Sequence, residues 1–193
     1  MTGSGLRTTL GCVTSPMRYL QTQRLALQPF SAADANEVHA AITPTLTRFM
    51  AFDPPESAQA FEAIWREWIR RIDEGSEYTF VVRERQAGSF IGIAAVHEAQ
   101  TREPELGIWI GEHEHGKGYG RDAVAAAMQW CSAQCSPEAF RYPVAVENLA
   151  SRRIAEGLGG VVVRTEQAAK YLQVVYRIPA ALGSEPLFGG KGI

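Results

Sequence analysis

The sequence lacks any apolar run that approaches the length of a membrane span, and its first residues carry no long apolar segment of the kind that opens a secretory signal. It has little charge imbalance. The net charge of −2 over 193 residues gives no basic surface to draw nucleic acid or an anionic membrane, so neither is expected as a partner. Cysteine is scarce. Three residues, Cys12, Cys131 and Cys135, suit a reducing cytoplasm, and no further Cys or His stands near them at a metal-ligand spacing. No internal repeat and no composition break marks a second domain. The length fits one domain with ample core. The reading is a tail over residues 1–20, with Met17 an equally sensible start, one domain over 21–179, and a Gly-rich tail over 180–193.

What the sequence does have is concentrated in residues 104–134, PELGIWIGEHEHGKGYGRDAVAAAMQWCSAQ. Glu105 to Ile110 reads as a short apolar strand ended by Gly111. His115-Gly116-Lys117-Gly118-Tyr119-Gly120 follows, and Arg121 opens a run of helix formers that lasts to about Cys135. Glycines at alternate positions leave the main chain bare just before a helix. First-turn N–H groups there have no partners and the helix dipole adds positive potential, which together suit a phosphate-bearing ligand. The spacing is neither the GxxxxGK[ST] of a Walker loop nor a GxGxxG placed at the start of a βαβ unit. A plain Gly-rich turn before an amphipathic helix is the competing reading.

The rest of the chain alternates strands and helices. Gln23 to Pro29 reads as an edge strand. Ser31 caps a helix from about Ala32 to Ala41, with Asp34 in its first turn. Residues 42–57 hold Pro44, Pro54 and Pro55, which forbid a continuous helix, with Phe49, Met50 and Phe52 between them. Ser57 caps a helix whose Phe61, Ile64, Trp65, Trp68, Ile69 and Ile72 recur at the helical period, and Gly75 ends it. Tyr78 to Arg85 and Phe90 to Val96 form a hairpin, with Pro104 to Ile110 as a third antiparallel strand. Arg141 to Glu147 is a strand, Leu149 to Leu158 a short helix, and Val161 to Thr165 with Tyr171 to Ile178 a last hairpin. The fold class is α+β, a mixed, mostly antiparallel sheet with helices on both faces.

The stretch ELGIWIG followed by HGKGYGRDAV resembles the acyl-CoA loop of the GNAT acetyltransferase superfamily, (Q/R)xxGxG/A, in its RimJ/RimL-type branch; Gly118 and Gly120 fill the two small positions, and His115 stands where Gln or Arg is usual. The phrase T-x-R-L-x-L-x-P-F-x-x-x-D, here Thr22 to Asp34, resembles the opening of the same branch. The likeness runs from about Thr22 to Ile178. It implies the GNAT fold and a cytoplasmic N-acetyltransferase that uses acetyl-CoA as acetyl donor. The acceptor would be the primary amine of a small molecule or a peptide N-terminus. The residues from Ile42 to Ser57 would lie over the acceptor site.

The resemblance also implies roles. The amides of Gly116, Lys117, Gly118, Tyr119, Gly120 and Arg121 would hold the pyrophosphate, with Lys117 and Arg121 adding charge. The main chain of Trp109 and Ile110 would pair with the pantetheine. Many family members carry an Asn and, one short helix later, a tyrosine that protonates the sulfur; Ala155 occupies that tyrosine's place here. The N-x-x-S pattern of the branch points instead to Asn148 and Ser151. Ser151 shares a helical face with Ile154, Ala155 and Leu158, while Asn148 is also a good helix cap.

An amine with a pKa near ~8 for an α-amine, or ~10.4 for a lysine, is served by a base. Glu105, on the strand beside the loop with Gly107 and Trp109 on its face, is the first candidate. His97 at the end of a strand has the pKa class but reads as an exposed strand-end residue, and Glu98, Glu147 and Glu166 are further options. His113 and His115, flanked by Glu112 and Glu114, lack a third ligand, so no metal is expected. No cysteine stands where a covalent nucleophile would, which points to direct transfer in a ternary complex. The alternatives are a CoA-binding sensor or structural protein without transferase activity, and a protein that binds another nucleotide. The aromatic loop and the last hairpin are the candidate surfaces for a homodimer.

Overall fold

The structure is a computed structural model and describes residues 19–180. Most of the two expected tails, with Cys12 and Met17, lies outside the described residues. The expected N-terminal tail ends inside a short strand, β1 (Leu20–Gln21), which pairs antiparallel with β2 (Leu25–Pro29). The turn between them is made by Thr22, whose hydroxyl accepts the N–H groups of Arg24 at 3.1 Å and Leu25 at 2.8 Å. The strand expected from Gln23 therefore starts two residues later. Alternation then buries Leu25 and Leu27.

Ser31 begins a helical turn as expected, but Ala32–Asp34 is 3₁₀ and the α-helix proper is α1 (Ala35–Ala41). Asp34 holds this corner. Its carboxylate accepts from the Ser31 N–H and hydroxyl at 3.0 and 2.7 Å and from Arg83 at 2.9 Å. The proline-rich stretch contains a helix that the proline count concealed, α2 (Pro44–Thr47). Pro44 sits in the first turn, where its missing N–H would have had no partner, and Thr43 Oγ1 accepts the Leu46 N–H at 3.0 Å.

In α3 (Ala58–Glu74), Ser57 caps one end and Gly75, left-handed at φ 67°, the other. Phe61, Trp65, Trp68, Ile69 and Ile72 pack with Phe30, Val38, Val81, Ile93 and Trp109 into a core on one face of the sheet. Ile64 lies at the rim of the apolar stripe and is exposed, not buried.

The central strands are β3 (Tyr78–Glu84), β4 (Phe90–His97) and β5 (Glu105–Ile110); then come α4 (Tyr119–Cys135), β6 (Ala139–Ala145), α5 (Leu149–Gly157) and the hairpin β7 (Val161–Gln167) and β8 (Leu172–Pro179). The sheet runs β1-β2-β3-β4-β5-β6-β8-β7, antiparallel throughout except for β5 against β6. A second core fills the other face, where Val124, Met128 and Cys131 of α4 meet Phe80, Leu106, Phe140 and Tyr142. This is the α+β sheet with helices on both faces that the element order indicated. Among the described residues no helix is long and apolar enough to cross a membrane.

Candidate functional site

The two parallel strands touch at one register pair, Glu105 with Arg141, where the Arg141 N–H donates to the Pro104 carbonyl at 2.8 Å. Beyond it they part. Each leads into the N-terminus of a helix, β5 through the glycine loop into α4 and β6 directly into α5. A crevice at the carboxyl ends of parallel strands is where open sheets of this kind accept ligands.

Alternation decides which main-chain groups face the gap. The Gly111 N–H donates to the Ile91 carbonyl at 2.8 Å, and the register with β4 is unbroken from Ile110 to Glu105. The main chains of Trp109, Gly107 and Glu105 therefore turn toward β4, and those of Ile110, Ile108 and Leu106 toward β6. The Ile110 carbonyl lies 2.7 Å from His115 Nε2, and because a carbonyl only accepts, that nitrogen carries the proton. The expected pair Trp109 and Ile110 is thus separated. Ile108 and Ile110 present their main chains to the gap, whereas Trp109 pairs with Ile93 and its indole packs against Phe90 in the α3-side core.

At the mouth, Gly116 and Gly118 adopt φ of 78° and 80°, the left-handed region that side chains disfavour. No side chain caps α4, so the first-turn amides of Tyr119, Gly120 and Arg121 stand toward the crevice with the dipole behind them. Gly120 admits α5: a Cβ there would come 2.9 Å from Ile154 Cδ1 and 3.6 Å from Ile110 Cγ1. The two cations expected to add charge are engaged elsewhere. Lys117 Nζ donates to Glu114 at 2.8 Å, a contact that raises its pKa, and Arg121 donates to the Gly157 carbonyl at 3.1 Å. The loop is braced by a residue whose role the sequence reading missed. Arg24 donates to Asp122 through Nε and Nη2 and to the Lys117 carbonyl through Nη1 at 2.8 Å, with its guanidinium 4.8 Å from the Tyr119 ring centroid.

Across the gap, Asn148 caps α5, its side-chain oxygen accepting the Ser151 N–H at 3.1 Å. That oxygen is therefore committed to positioning Ser151. The Ser151 hydroxyl is 2.7 Å from the hydroxyl of Tyr142, a fully buried residue of β6 whose pKa burial pushes up to about 12. Tyr142 is the second residue missed. Alternation with Phe140 and Val144 could have aimed it inward, but only the fold sets it beside Ser151.

The opposite face of β5 carries Glu105, Gly107 and Trp109. Glu105 lies 3.5 Å from Arg141 Nη1, and Arg141 also donates to Glu98 at 2.5 Å. His97 pairs with Glu105 across the strands, with Nδ1 2.9 Å from the nearly buried Glu77. Glu166 is held by Arg164 and Gln173 at 2.7 and 2.8 Å. The aromatic loop is tied over this face. Lys170 Nζ donates to the Thr47 and Phe52 carbonyls at 3.1 Å each and to Asp53 at 2.6 Å, and Thr43 donates to Glu112, which precedes the glycine loop. Met50 packs into the core, Phe49 lies under Arg48, and Phe52 is exposed. Among the described residues no group of three His, Cys, Asp or Glu side chains could hold a metal ion.

The sequence model of the acetyltransferase (GNAT) domain matches residues 24–161. No curated protein sequence matches the chain significantly. Several solved structures share the fold. A spermidine N-acetyltransferase from Vibrio cholerae, solved with CoA and spermine, is 22% identical with a TM-score of 0.69 over 81% of this chain and 95% of that one. The ribosomal L7/L12 α-N-protein acetyltransferase RimL, in complex with coenzyme A, is 14% identical with a TM-score of 0.75 over 84% and 98% of the two chains. Mycobacterium smegmatis RimJ, in complex with CoA-disulfide, is 17% identical with a TM-score of 0.71 over 81% and 82%.

Proposed function

The chain belongs to the GNAT acetyltransferase family, and from that premise we propose that it moves the acetyl group of acetyl-CoA directly to a primary amine within a ternary complex. The observation that carries this reading is the gap between β5 and β6, closed at one pair only and opening toward uncapped glycine-loop amides at one wall and Ser151 at the other.

The main chain of Ile108 and the N–H of Ile110 supply hydrogen-bonding groups for pantetheine, and the amides from Gly116 to Arg121 supply them for pyrophosphate. Binding therefore rests on main-chain dipoles more than on Lys117, which is paired with Glu114, and Arg121, which is turned to the Gly157 carbonyl. As the amine attacks and the C–S bond breaks, Ser151 passes its proton to the departing thiolate, regains one from solvent, and takes hydrogen-bond support from Tyr142. Burial keeps Tyr142 protonated, so it supports Ser151 as a hydrogen-bonding neighbour and does not act as a base. Asn148 holds Ser151 by capping α5. Glu105 contributes negative charge at the acceptor face, offset by Arg141.

Direct transfer is favoured because the two cysteines among the described residues lie late in α4. Cys131 is buried under the sheet, about 18 Å along the helix axis from Tyr119. The named relatives act on a polyamine and on a protein α-amine, and we take a primary amine of one of these two kinds as the acceptor. Initial rates of thiol release, with acetyl-CoA and the amine varied together, test the reading. Intersecting lines are expected. Parallel lines with a burst of thiol would overturn direct transfer, and CoA binding without thiol release from any amine would reduce the protein to a binding module.

A further inference from the structure

The transfer needs a group that takes the proton from the attacking amine, and Glu105, the first candidate in sequence, spends its charge on Arg141. The neighbouring strand offers another. His97 is the last residue of β4, and its ring leans across β5 at the one position where β5 has no side chain. A Cβ on Gly107 would fall 2.9 Å from His97 Nε2 and 3.5 Å from Cδ2, so this crossing exists only because residue 107 is glycine. The crossing lies next to the single pair that joins β5 to β6, at the point where the strands begin to part and on the face away from α4.

The imidazole is held from behind. Nδ1 is 2.9 Å from Glu77 Oε1, and the side chain of Glu77 is only 7% exposed. The other oxygen of Glu77 accepts from Arg71 of α3 at 2.8 Å. Burial alone would raise the pKa of Glu77, but its contacts with His97 and Arg71 hold it below the usual carboxylate range, so it stays charged. A carboxylate at Nδ1 fixes the proton on that nitrogen and leaves the lone pair on Nε2, which has no protein partner among the described residues. The charged groups that face this site are Glu77 before β3, Arg71 from α3, Glu105 on β5 and Arg141 on β6, with Arg164 and Tyr171 of the last hairpin near Glu105.

We propose that His97 is the general base of the transfer and that Glu77 is its positioning residue; this rests on the acetyltransferase reading above. The amine nitrogen bonds to the thioester carbon and the C–S bond breaks. The amine proton passes to His97 Nε2, and the sulfur takes a proton from Ser151, which regains one from solvent. The imidazolium, stabilised by Glu77, returns its proton to solvent through its exposed edge.

The test is kcat/KM against pH for wild type, His97→Gln, His97→Asn and Glu77→Gln, with spermidine and a short peptide with a free α-amine as acceptors. Acetyl-CoA melting shifts are recorded for each variant. Wild type should show an ascending limb. Both His97 variants should lose that limb and about 100-fold in kcat, while their melting shifts with acetyl-CoA stay as in wild type. Glu77→Gln should move the limb to lower pH with a smaller loss of rate. A His97 variant that binds acetyl-CoA and keeps rates within about two-fold of wild type, with the limb in place, overturns the proposal and leaves the acetyltransferase reading standing. Absence of turnover by acetyl-CoA-bound wild type with either acceptor overturns both.

Discussion

Arg24 and Asp122 are 98 residues apart, yet the guanidinium of one donates twice to a single carboxylate oxygen of the other, at 2.9 and 2.7 Å. The remaining nitrogen of Arg24 reaches the Lys117 carbonyl. The edge of the sheet thereby fixes the turn that aims the amides of α4. Exposed pairs of this kind contribute at most about 1 kcal/mol to stability, so Arg24→Ala should barely move the urea midpoint. Its effect should fall on the loop: KM for acetyl-CoA should rise roughly five- to ten-fold with kcat little changed, about 1 kcal/mol of binding. Steady-state kinetics at fixed acceptor concentration measures both.

Ser151→Ala removes the proposed proton donor but keeps the helix cap, because the main-chain N–H that Asn148 accepts is still present. kcat should fall by roughly 10- to 100-fold, and stability should fall by about 1–3 kcal/mol because the buried Tyr142 hydroxyl loses its partner. Tyr142→Phe should give a smaller fall in kcat and cost about 1 kcal/mol in stability for the lost buried hydrogen bond. Comparing the two by thiol release and urea unfolding separates chemistry from packing.

Gly92 of β4 lies against the main chain beside the gap. A Cβ there would come 2.2 Å from the Trp109 carbonyl oxygen and 2.9 Å from Ile110 Cα, neither of which can swing aside as a flexible side chain would. Gly92→Ala should destabilise by about 1–3 kcal/mol and weaken acetyl-CoA binding through displacement of Ile110. Gly111→Ala, whose Cβ would meet only the Ile91 carbonyl at an ordinary 3.5 Å, is the control and should cost less than about 0.5 kcal/mol.

Two buried carboxylates set the acid limit. Burial would raise Asp34, but its hydrogen bonds from Ser31 and its pair with Arg83 outweigh that and hold it low; Glu77 is held low in the same way by His97 and Arg71. Groups depressed in the folded state bind fewer protons there than when unfolded. Their contribution is therefore whole above the unfolded values, about pH 4 to 4.5, and is lost as pH falls through the folded ones. Urea midpoints should be flat from pH 7 to 5 and drop below about pH 4. Asp34→Asn should lower the plateau and make the acid drop shallower.

Much of this was legible in sequence because local chemistry dictated it. The glycines at 116 and 118 are needed by left-handed turns, Ser57 and Asn148 cap helices, and the α3 stripe builds a core face. The opening phrase acquires a physical content: Thr22 makes the turn into β2, Arg24 braces the glycine loop, and Asp34 anchors the first helix to β3. What was not legible depends on register between distant strands. The resemblance placed Trp109 and Ile110 together at the pantetheine, but alternation sends their main chains in opposite directions. Glu77 gives no signal of its own; it meets His97 only because Tyr78 pairs with Val96 in the hairpin. The helix at Pro44 was hidden because proline breaks helices everywhere except in their first turn.

The measurement that most directly tests the assignment of the β5–β6 gap is thermal unfolding with acetyl-CoA, CoA and ATP in parallel, for wild type and Gly120→Trp, which would force a large side chain against Ile154 and Ile110 at the mouth of the gap, where a Cβ alone already comes 2.9 Å from Ile154 Cδ1. Ligand at a hundred times its Kd stabilises the native state by about 2.7 kcal/mol. The wild type should melt higher with acetyl-CoA and CoA and not with ATP, and Gly120→Trp should lose that rise. No rise with acetyl-CoA, a rise as large with ATP, or a rise that survives in Gly120→Trp would contradict the assignment.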